Sequence, residues 1–449
     1  MIPVDDIIAA PATAPGRGAV AMVRASGPDL SSLAAELTGR SRLAPRYAHY
    51  VRFLAEDKHV IDRGLALYFP APRSYTGEDM LELHCHGSPV VVESLLKRLM
   101  QLGARMAQPG EFSRRAFLNG KLDLAQAEAV AALIESTSEQ AARAAQRSLE
   151  GEFSHRIEGL VEALTAIRVQ VEASIDFSDE DIDWLAEGAV LARLERIIRD
   201  VDELNRRALQ GRLLEEGMTV VIAGRPNAGK SSLLNRLAER ETAIVTDVAG
   251  TTRDLLRERI QIDGMPLHVI DTAGLREGGD VVEREGIRRA LAAMQSADAI
   301  LLVVDSREAG AAAELPADLP AGIPVIRIHN KIDLTDEKPR IESTGKGGVV
   351  YLSAKTGAGV ERLRTHLKQT MGFEAEAEDA LAARRRHLQA LARTQDYLSQ
   401  AREALGALQA ADLAAEDLRL AQQALSEITG EVTSDDLLGK IFSEFCIGK

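Results

Sequence analysis

The sequence predicts a multidomain α+β protein: an N-terminal α/β domain, a helical bundle discontinuous in sequence, and an inserted domain on a doubly wound, mostly parallel sheet. Three observations lead there. At 449 residues the chain exceeds one typical core. An alanine-rich helical texture runs from Leu122 to about residue 214 and returns from about 378 to 428. The block between alternates apolar strands with helices, so the helical domain is interrupted by a self-contained one, an arrangement allowed when the inserted domain's ends lie close together.

The first domain, 1–118, mixes short apolar runs with turn signals, as in 19-AVAMVRAS-26, 65-LALYFPAP-72 and 79-DMLELHCHGSP-89, before a helical pattern in 90-VVVESLLKRLMQLG-103. The first part of the helical domain, 119–214, opens on Asp123 with Gln126 three residues later, a capping-box pattern, and one long helix is expected to run on to Gly151. A second helix reaches about Ile175. After the acidic loop 176-DFSDEDID-183 comes VLARLERIIRDVDELNRRALQGRLL. The inserted domain, 215–373, has strand candidates 218-MTVVIAG-224, 267-LHVIDTAG-274, 299-AILLVVDS-306, 324-PVIRIHN-330 and 349-VVYLSA-354. The second helical part, 374–449, carries the tail FCIGK.

Composition narrows the function classes. Two cysteines, Cys85 and Cys446, build no disulfide framework and sit in no C-x-x-C pair, which suits a reducing cytosol. The N-terminus has acids where a signal peptide has bases, and the longest apolar run, 299-AILLVV-304, is far shorter than a membrane span, so a cytoplasmic protein with no membrane partner is expected. The 54 Lys and Arg against 68 Asp and Glu give a formal net charge of -14. A protein gripping nucleic acid by broad electrostatics leans the other way, so any RNA contact is local or shared with a partner.

The chemistry is densest in the inserted domain. The segment 224-GRPNAGKS-231 follows a strand and precedes a helical run. Its glycines let backbone N–H groups curl round phosphates, Lys230 reaches the β- and γ-phosphates, and the Ser231 hydroxyl suits Mg²⁺. In 330-NKID-333, Asp333 can accept hydrogen bonds from guanine N1–H and the exocyclic amine, an arrangement adenine does not offer. The segment 353-SAK-355 supports the base, while Asp271 and Gly274 of 271-DTAGLRE-277 sense Mg²⁺ and the γ-phosphate. In this order, with 250-GTTRD-254, these motifs make a GTPase domain. Leu275, however, stands where the Ras family has a water-orienting glutamine.

Taken whole, the chain resembles the MnmE (TrmE) family of bacterial tRNA-modification GTPases. The resemblance rests on 15-PGRGAVAMVRASG-27, 76-TGEDMLELHCHG-87, 109-PGEFSRRAFLNGKLDLAQAEAV-130, the GTPase motifs, 271-DTAGLRE-277 with 283-ER-284, and 445-FCIGK-449. It implies a GTPase activated by K⁺ and by dimerisation of its G domains, with a hydrophobic residue where Ras has glutamine. It implies a constitutive homodimer through an N-terminal folate-binding domain. It also implies an MnmG (GidA)-like FAD protein as partner, a heterotetramer being the expected complex, and tRNA as substrate. The joint product is a (carboxymethyl)aminomethyl group on carbon 5 of the wobble uridine, built with a tetrahydrofolate one-carbon donor in its 5,10-methylene or 5-formyl form. The alternative reading is a regulatory GTPase switch in ribosome assembly, which the folate-like N-terminus and the tail speak against.

The resemblance assigns roles residue by residue. Nucleotide contacts fall to Asn227, Ala228, Gly229, Lys230, Ser231 and Ser232; to Thr246, Asp247, Val248, Ala249, Gly250, Thr251 and Thr252; to Asp271, Thr272, Ala273 and Gly274; and to Asn330, Lys331, Asp333, Ser353, Ala354 and Lys355. Ser231 and Thr252 take Mg²⁺. Asn227, Thr246, Val248 and Thr251 take K⁺, for which backbone carbonyls suffice. Glu283 takes the water-orienting role; by its own sequence context it reads as an exposed helix residue paired with a neighbouring arginine. Arg24, Glu82, Lys121 and Lys449 face the folate, and Cys446 is the candidate thiolate of the modification step.

Three further clusters read as structural. In a strand His84 and His86 share a face and Cys85 points away, so the triplet wraps no single ion. The loop 176-DFSDEDID-183 lacks the glycine and spaced ligands of a calcium loop and reads as helix capping. The basic group 384-RRRH-387 reads as a solvated helix face.

Overall fold

The computed structural model describes residues 6–176, 189–238, 257–262, 265–271, 294–295, 297–308, 323–344, 347–373, 379–406, 410–431, 435–443, 445 and 448. The N-terminal part is a six-stranded sheet of β1 (Ile8–Pro11), β2 (Gly18–Gly27), β3 (His49–Leu54), β4 (Val60–Phe69), β5 (Asp79–Gly87) and β6 (Arg105–Met106), in the order β3-β4-β5-β2-β1-β6. Period-two alternation explains its sidedness. Ala21, Val23 and Ala25 of β2 are buried with Leu81, Leu83 and Cys85 of β5, against α1 (Ser31–Thr38) and α2 (Pro89–Gln101). The opposite face carries Val20, Tyr50 and Leu65 exposed. α3 (Glu111–Leu118) leads from this sheet into the helices.

The capping box forms as read: Asp123 accepts the Gln126 N–H at 2.8 Å and the Gln126 side chain accepts the Asp123 N–H at 3.0 Å. The long helix expected from there to Gly151 is instead two, α4 (Leu124–Glu135) and α5 (Glu139–Leu149). Ser136 turns to extended backbone, and Ser138 caps the second helix by accepting the Ala141 N–H at 3.1 Å. Serine hydroxyls compete with the helix for backbone hydrogen bonds: Ser136 donates to the Leu133 carbonyl at 2.8 Å and Ser138 accepts as above, which alanine texture conceals. α6 (Glu152–Asp176) and α7 (Ala189–Glu215) then cross over one apolar seam, sharing Leu164, Val171, Leu194 and Val201 with the helices near the other end of the chain.

The inserted part is a seven-stranded sheet. In chain order it comprises β7 (Met218–Gly224), α8 (Lys230–Ala238), β8 (Arg257–Ile262), β9 (Met265–Asp271), β10 (Ala299–Asp305), β11 (Val325–Asn330), β12 (Arg340–Thr344), β13 (Gly347–Tyr351) and α9 (Val360–Met371). The strand order is β12-β13-β11-β10-β7-β9-β8, parallel except for the antiparallel edges β8 and β12. Those edges escaped the sequence reading because RERIQI and RIEST carry too few apolar residues to signal a strand.

The chain returns through α10 (Arg385–Gly406), α11 (Ala411–Thr429) and α12 (Asp435–Ser443). Its departure and return run side by side. The Leu381 N–H donates to the Arg207 carbonyl at 3.3 Å, Gln210 Nε2 donates to the Gly372 carbonyl, and the Ser148 hydroxyl donates to the Ala382 carbonyl at 3.1 Å. Gly211 is required at this crossing, since a Cβ there would lie 1.8 Å from the Leu381 carbonyl oxygen. The C-terminal segment folds back onto the first part: Gly110 lies against Phe442 and Phe445, and Gly448 against Pro11.

Candidate functional site

The glycine-rich loop leaves β7 at Gly224 and enters α8 at Lys230. Its curl needs left-handed backbone at Asn227 (φ +61) and Gly229 (φ +95). A Cβ on Gly229 would stand 2.2 Å from Asn330 Nδ2, so the loop and the end of β11 touch where no side chain fits. Lys230 is buried, and its Nζ donates to the Gly224 and Arg225 carbonyls at 3.1 and 3.0 Å. Ser231 and Ser232 follow in the first turn of α8, where free backbone N–H groups and the helix dipole favour an anion.

Asn330 ties three segments together. It is 2% exposed; its Nδ2 donates to the Ala228 carbonyl at 2.9 Å and its Oδ1 accepts the Ala354 N–H at 2.9 Å. Asp333 accepts the Ser353 hydroxyl at 2.6 Å, so that one carboxylate oxygen is already oriented by 353-SAK-355. Arg236 of α8 braces the same segment from behind, donating to the Ala354 and Lys355 carbonyls at 3.1 and 2.7 Å. Lys331 (φ +67) reaches across to the glycine-rich loop and donates from Nζ to the Asn227 carbonyl at 2.6 Å.

Sequence reasoning missed Asp305, at the end of β10, and Arg236. Asp305 is buried beneath this network, and the Arg307 guanidinium and Lys331 ammonium beside it hold its carboxyl far below the usual carboxylate range. A carboxylate closing the apolar run LLVV beside the strand that carries 330-NKID-333 was the available signal.

Thr246, Asp247, Val248, Ala249, Gly250, Thr251, Thr252, Thr272, Ala273, Gly274, Glu283, Cys446 and Lys449, and all but Asp176 of the loop 176-DFSDEDID-183, lie outside the described residues. Asp271 ends β9, whose parallel pairing sets it opposite Ile222 of β7, two residues before the glycine-rich loop.

At the N-terminal sheet, Arg24 and Glu82 are register partners on β2 and β5, and Arg24 Nη2 donates to Glu82 Oε1 at 2.9 Å. The Arg24 guanidinium also lies 5.7 Å from the Tyr75 ring centre and 5.9 Å from that of Phe112. Lys121 is exposed, and its side chain passes beside Gly77. Asn119, two residues before it, donates to the Thr76 carbonyl at 2.7 Å, and the Thr76 hydroxyl pairs with Ser26 at 2.7 Å. Lys121 is thereby held beside the strand that carries Arg24.

The His84, Cys85 and His86 triplet alternates as read. Cys85 is buried, its Sγ bonds to the Ala21 carbonyl at 3.5 Å, and burial pushes its thiol up to about 11. His86 is exposed and pairs with Asp62 at 2.8 Å. The reading of 384-RRRH-387 as a solvated face is corrected by its last two residues. Arg386 makes a two-pronged pair with buried Glu128 at 2.9 and 2.7 Å and donates to the Glu427 and Ile428 carbonyls, while His387 is 1% exposed. The reason is a carboxylate inside α4, remote in sequence, that has to be matched once buried.

Comparison with known proteins covers nearly the whole chain. Residues 7–121 match the family model described as GTP-binding protein TrmE N-terminus, and residues 124–446 match the MnmE helical domain. Three curated relatives bear the name tRNA modification GTPase MnmE. The one from Proteus mirabilis (strain HI4320) is 56% identical over 451 residues, 99% of each chain. That from Ectopseudomonas mendocina (strain ymp) is 57% identical, again over 99% of each chain. That from Stutzerimonas stutzeri (strain A1501) is 58% identical over 456 residues, 100% of each chain.

Proposed function

The chain belongs to the MnmE (TrmE) family, and from that premise we propose that it is a GTP hydrolase acting in tRNA modification, making GDP and phosphate while it helps build a (carboxymethyl)aminomethyl group on carbon 5 of wobble uridine. The observation that carries the GTPase reading is the frame around Asn330, which binds the glycine-rich loop through Ala228 and the base-side segment through Ala354. Asp333, oriented by Ser353, then selects guanine. The Lys230 side chain and the N-terminus of α8 receive the phosphates.

The donor chemistry fits two cations. Ser231 with Thr252 would supply hydroxyl oxygens for Mg²⁺, and Asn227 with Thr246, Val248 and Thr251 would supply amide, hydroxyl and carbonyl oxygens for K⁺. Bound there, the cations supply positive charge where the phosphates gain negative charge. Asn227 itself sits in the loop in left-handed backbone. Leucine at position 275 cannot orient water, and Glu283 takes that part as a carboxylate.

The folate reading is supported by the Arg24 and Glu82 pair beside Tyr75 and Phe112, a cation and a carboxylate next to aromatic rings. A flat heterocycle with an amide-and-amine edge and an acidic tail suits that mixture. Gly448 against Pro11 brings the tail toward the same sheet, which favours Lys449 at the folate and Cys446 as the thiolate of the modification step. The exposed Val20, Tyr50 and Leu65 on the uncovered sheet face suit a homodimer contact.

The partner is an MnmG-like flavoprotein, in a heterotetramer, and tRNA is the substrate. No helix among the described residues is long and apolar enough to cross a membrane, and a cytoplasmic location goes with the tRNA substrate. The division into 1–118, 119–214, 215–373 and 374–449 belongs to the same reading. GTP turnover with K⁺ or Na⁺ as the sole alkali ion tests it: K⁺ should accelerate turnover and Na⁺ should not, and equal rates would remove the potassium assignment. Wobble uridines from cells lacking the protein should lose the modification.

A further inference from the structure

We propose that Asp305 is a positioning residue for the glycine-rich loop: it holds the Lys331 ammonium against the Asn227 carbonyl, locks Asn227 in its left-handed conformation, and so sets how well the Asn227 amide takes a monovalent cation. The functional half of this inference rests on the potassium reading above.

The geometry is compact. Asp305 closes β10, the strand between β7, which leads into the glycine-rich loop, and β11, which leads into Lys331. It is 7% exposed. Oδ2 accepts Lys331 Nζ at 2.8 Å and Arg307 Nη2 at 2.7 Å, and Oδ1 accepts the Arg307 backbone N–H and Nε at 3.0 and 3.1 Å. The Lys331 ammonium gives a second proton to the Asn227 carbonyl at 2.6 Å. Asn227 and Lys331 both carry positive φ without being glycine, and the Lys331 ammonium links the two at the Asn227 carbonyl. Left-handed backbone is unfavourable for residues with a Cβ, although asparagine tolerates it best, so a bond made to the Asn227 carbonyl in that conformation helps to hold it there.

Charge makes Asp305 the anchor. A cavity of about 100 Å³ beside it is lined by Arg225, Asn227, Arg307 and Lys331 among others. Glu308 also lines the cavity, 3.9 Å from Arg225, and both of these side chains are more than half exposed, unlike Asp305. Without Asp305 the cations Lys331 and Arg307 would face each other with no carboxylate between them, and Lys331 would leave the Asn227 carbonyl.

The test uses the full chain with Asp305→Ala, Asp305→Asn and Arg307→Ala. Loss of a charge-assisted bond predicts that Asp305→Ala needs about tenfold more K⁺ for half-maximal GTP turnover, while kcat at saturating K⁺ and GDP affinity each change by less than about threefold. Asp305→Asn keeps an acceptor oxygen and falls between. Arg307→Ala keeps the Asp305 and Lys331 pair and should behave as wild type. Backbone hydrogen exchange of 225–230 in nucleotide-free protein should quicken in Asp305→Ala and not in Arg307→Ala. An unchanged K⁺ requirement overturns the proposal, as does a parallel fall of kcat, GDP affinity and melting temperature, the mark of a damaged fold. If wild type ignores K⁺, the potassium reading fails by itself, and exchange then decides the positioning role: faster exchange upholds it and unaltered exchange removes it.

Discussion

The Glu128 carboxylate and the His387 imidazole face each other at 2.8 Å, both almost fully buried, joining α4 to α10 across the interruption of the helical domain. His387 accepts the Arg384 N–H at Nδ1, which suits a neutral ring, and burial pushes its pKa down. Burial alone would raise the Glu128 pKa, but His387 and Arg386 beside it hold it at about 2.

Acid should therefore loosen this junction in two stages. Below about pH 6.5 the unfolded chain gains a proton on His387 that the folded chain resists, and from about pH 4 toward 2 it gains one on Glu128, so stability falls with pH in both windows. Melting temperature measured between pH 7.5 and 5 should fall, and His387→Gln should flatten that slope; an identical slope would remove His387 from the account. Glu128→Ala should cost about 3–5 kcal/mol by chemical denaturation, because it strands the Arg386 charge.

Gly229→Ala should abolish tight nucleotide binding without unfolding the chain. The new methyl group would collide with Asn330 Nδ2, and φ of +95 disfavours any Cβ. A loss of about 3 kcal/mol, or ~100-fold in GDP affinity, is expected by fluorescent-nucleotide titration, with the helical circular dichroism unchanged.

Asp333→Asn should exchange base preference. The amide keeps one oxygen for Ser353 but turns a donor toward the base, favouring a xanthine nucleotide, whose ring carbonyl accepts where guanine has an amine. Discrimination should move by about 1–3 kcal/mol, read as competing affinities of GDP and xanthosine diphosphate. Retained guanine preference would place base selection elsewhere.

Arg24→Ala should weaken binding of a tetrahydrofolate derivative by at least about tenfold, the value of one charge-assisted bond, and leave Glu82 without its partner. Calorimetric titration with 5-formyltetrahydrofolate reads it directly. Undiminished affinity would show that the pair only ties β2 to β5.

Much of the fold is legible in the sequence. The glycine-rich loop, the segment 330-NKID-333 and the parallel strands each carry a local signature, because tight turns and buried strands demand particular residues at short spacing. What stayed hidden was set by distant partners. Arg386 and His387 looked like surface because their carboxylate lies in α4. Asp305 reads as a plain strand end because one of its two cations, Lys331, arrives only after the next strand. The sequence offers Arg24 and Glu82 as two separate ligand contacts, whereas strand register makes them a pair. The break after Glu135 was missed because two serine hydroxyls outweigh alanine's helix preference.

The crossing at Gly211 and Leu381 has a mechanical consequence. Two polypeptide passages bonded flank to flank should resist stretch together, as a single stout axle, so that any movement of the seven-stranded sheet would reach the helices as torque. A bulky residue at position 211 would prise the axle into two loose tethers, leaving each half intact while the rotation no longer carried across.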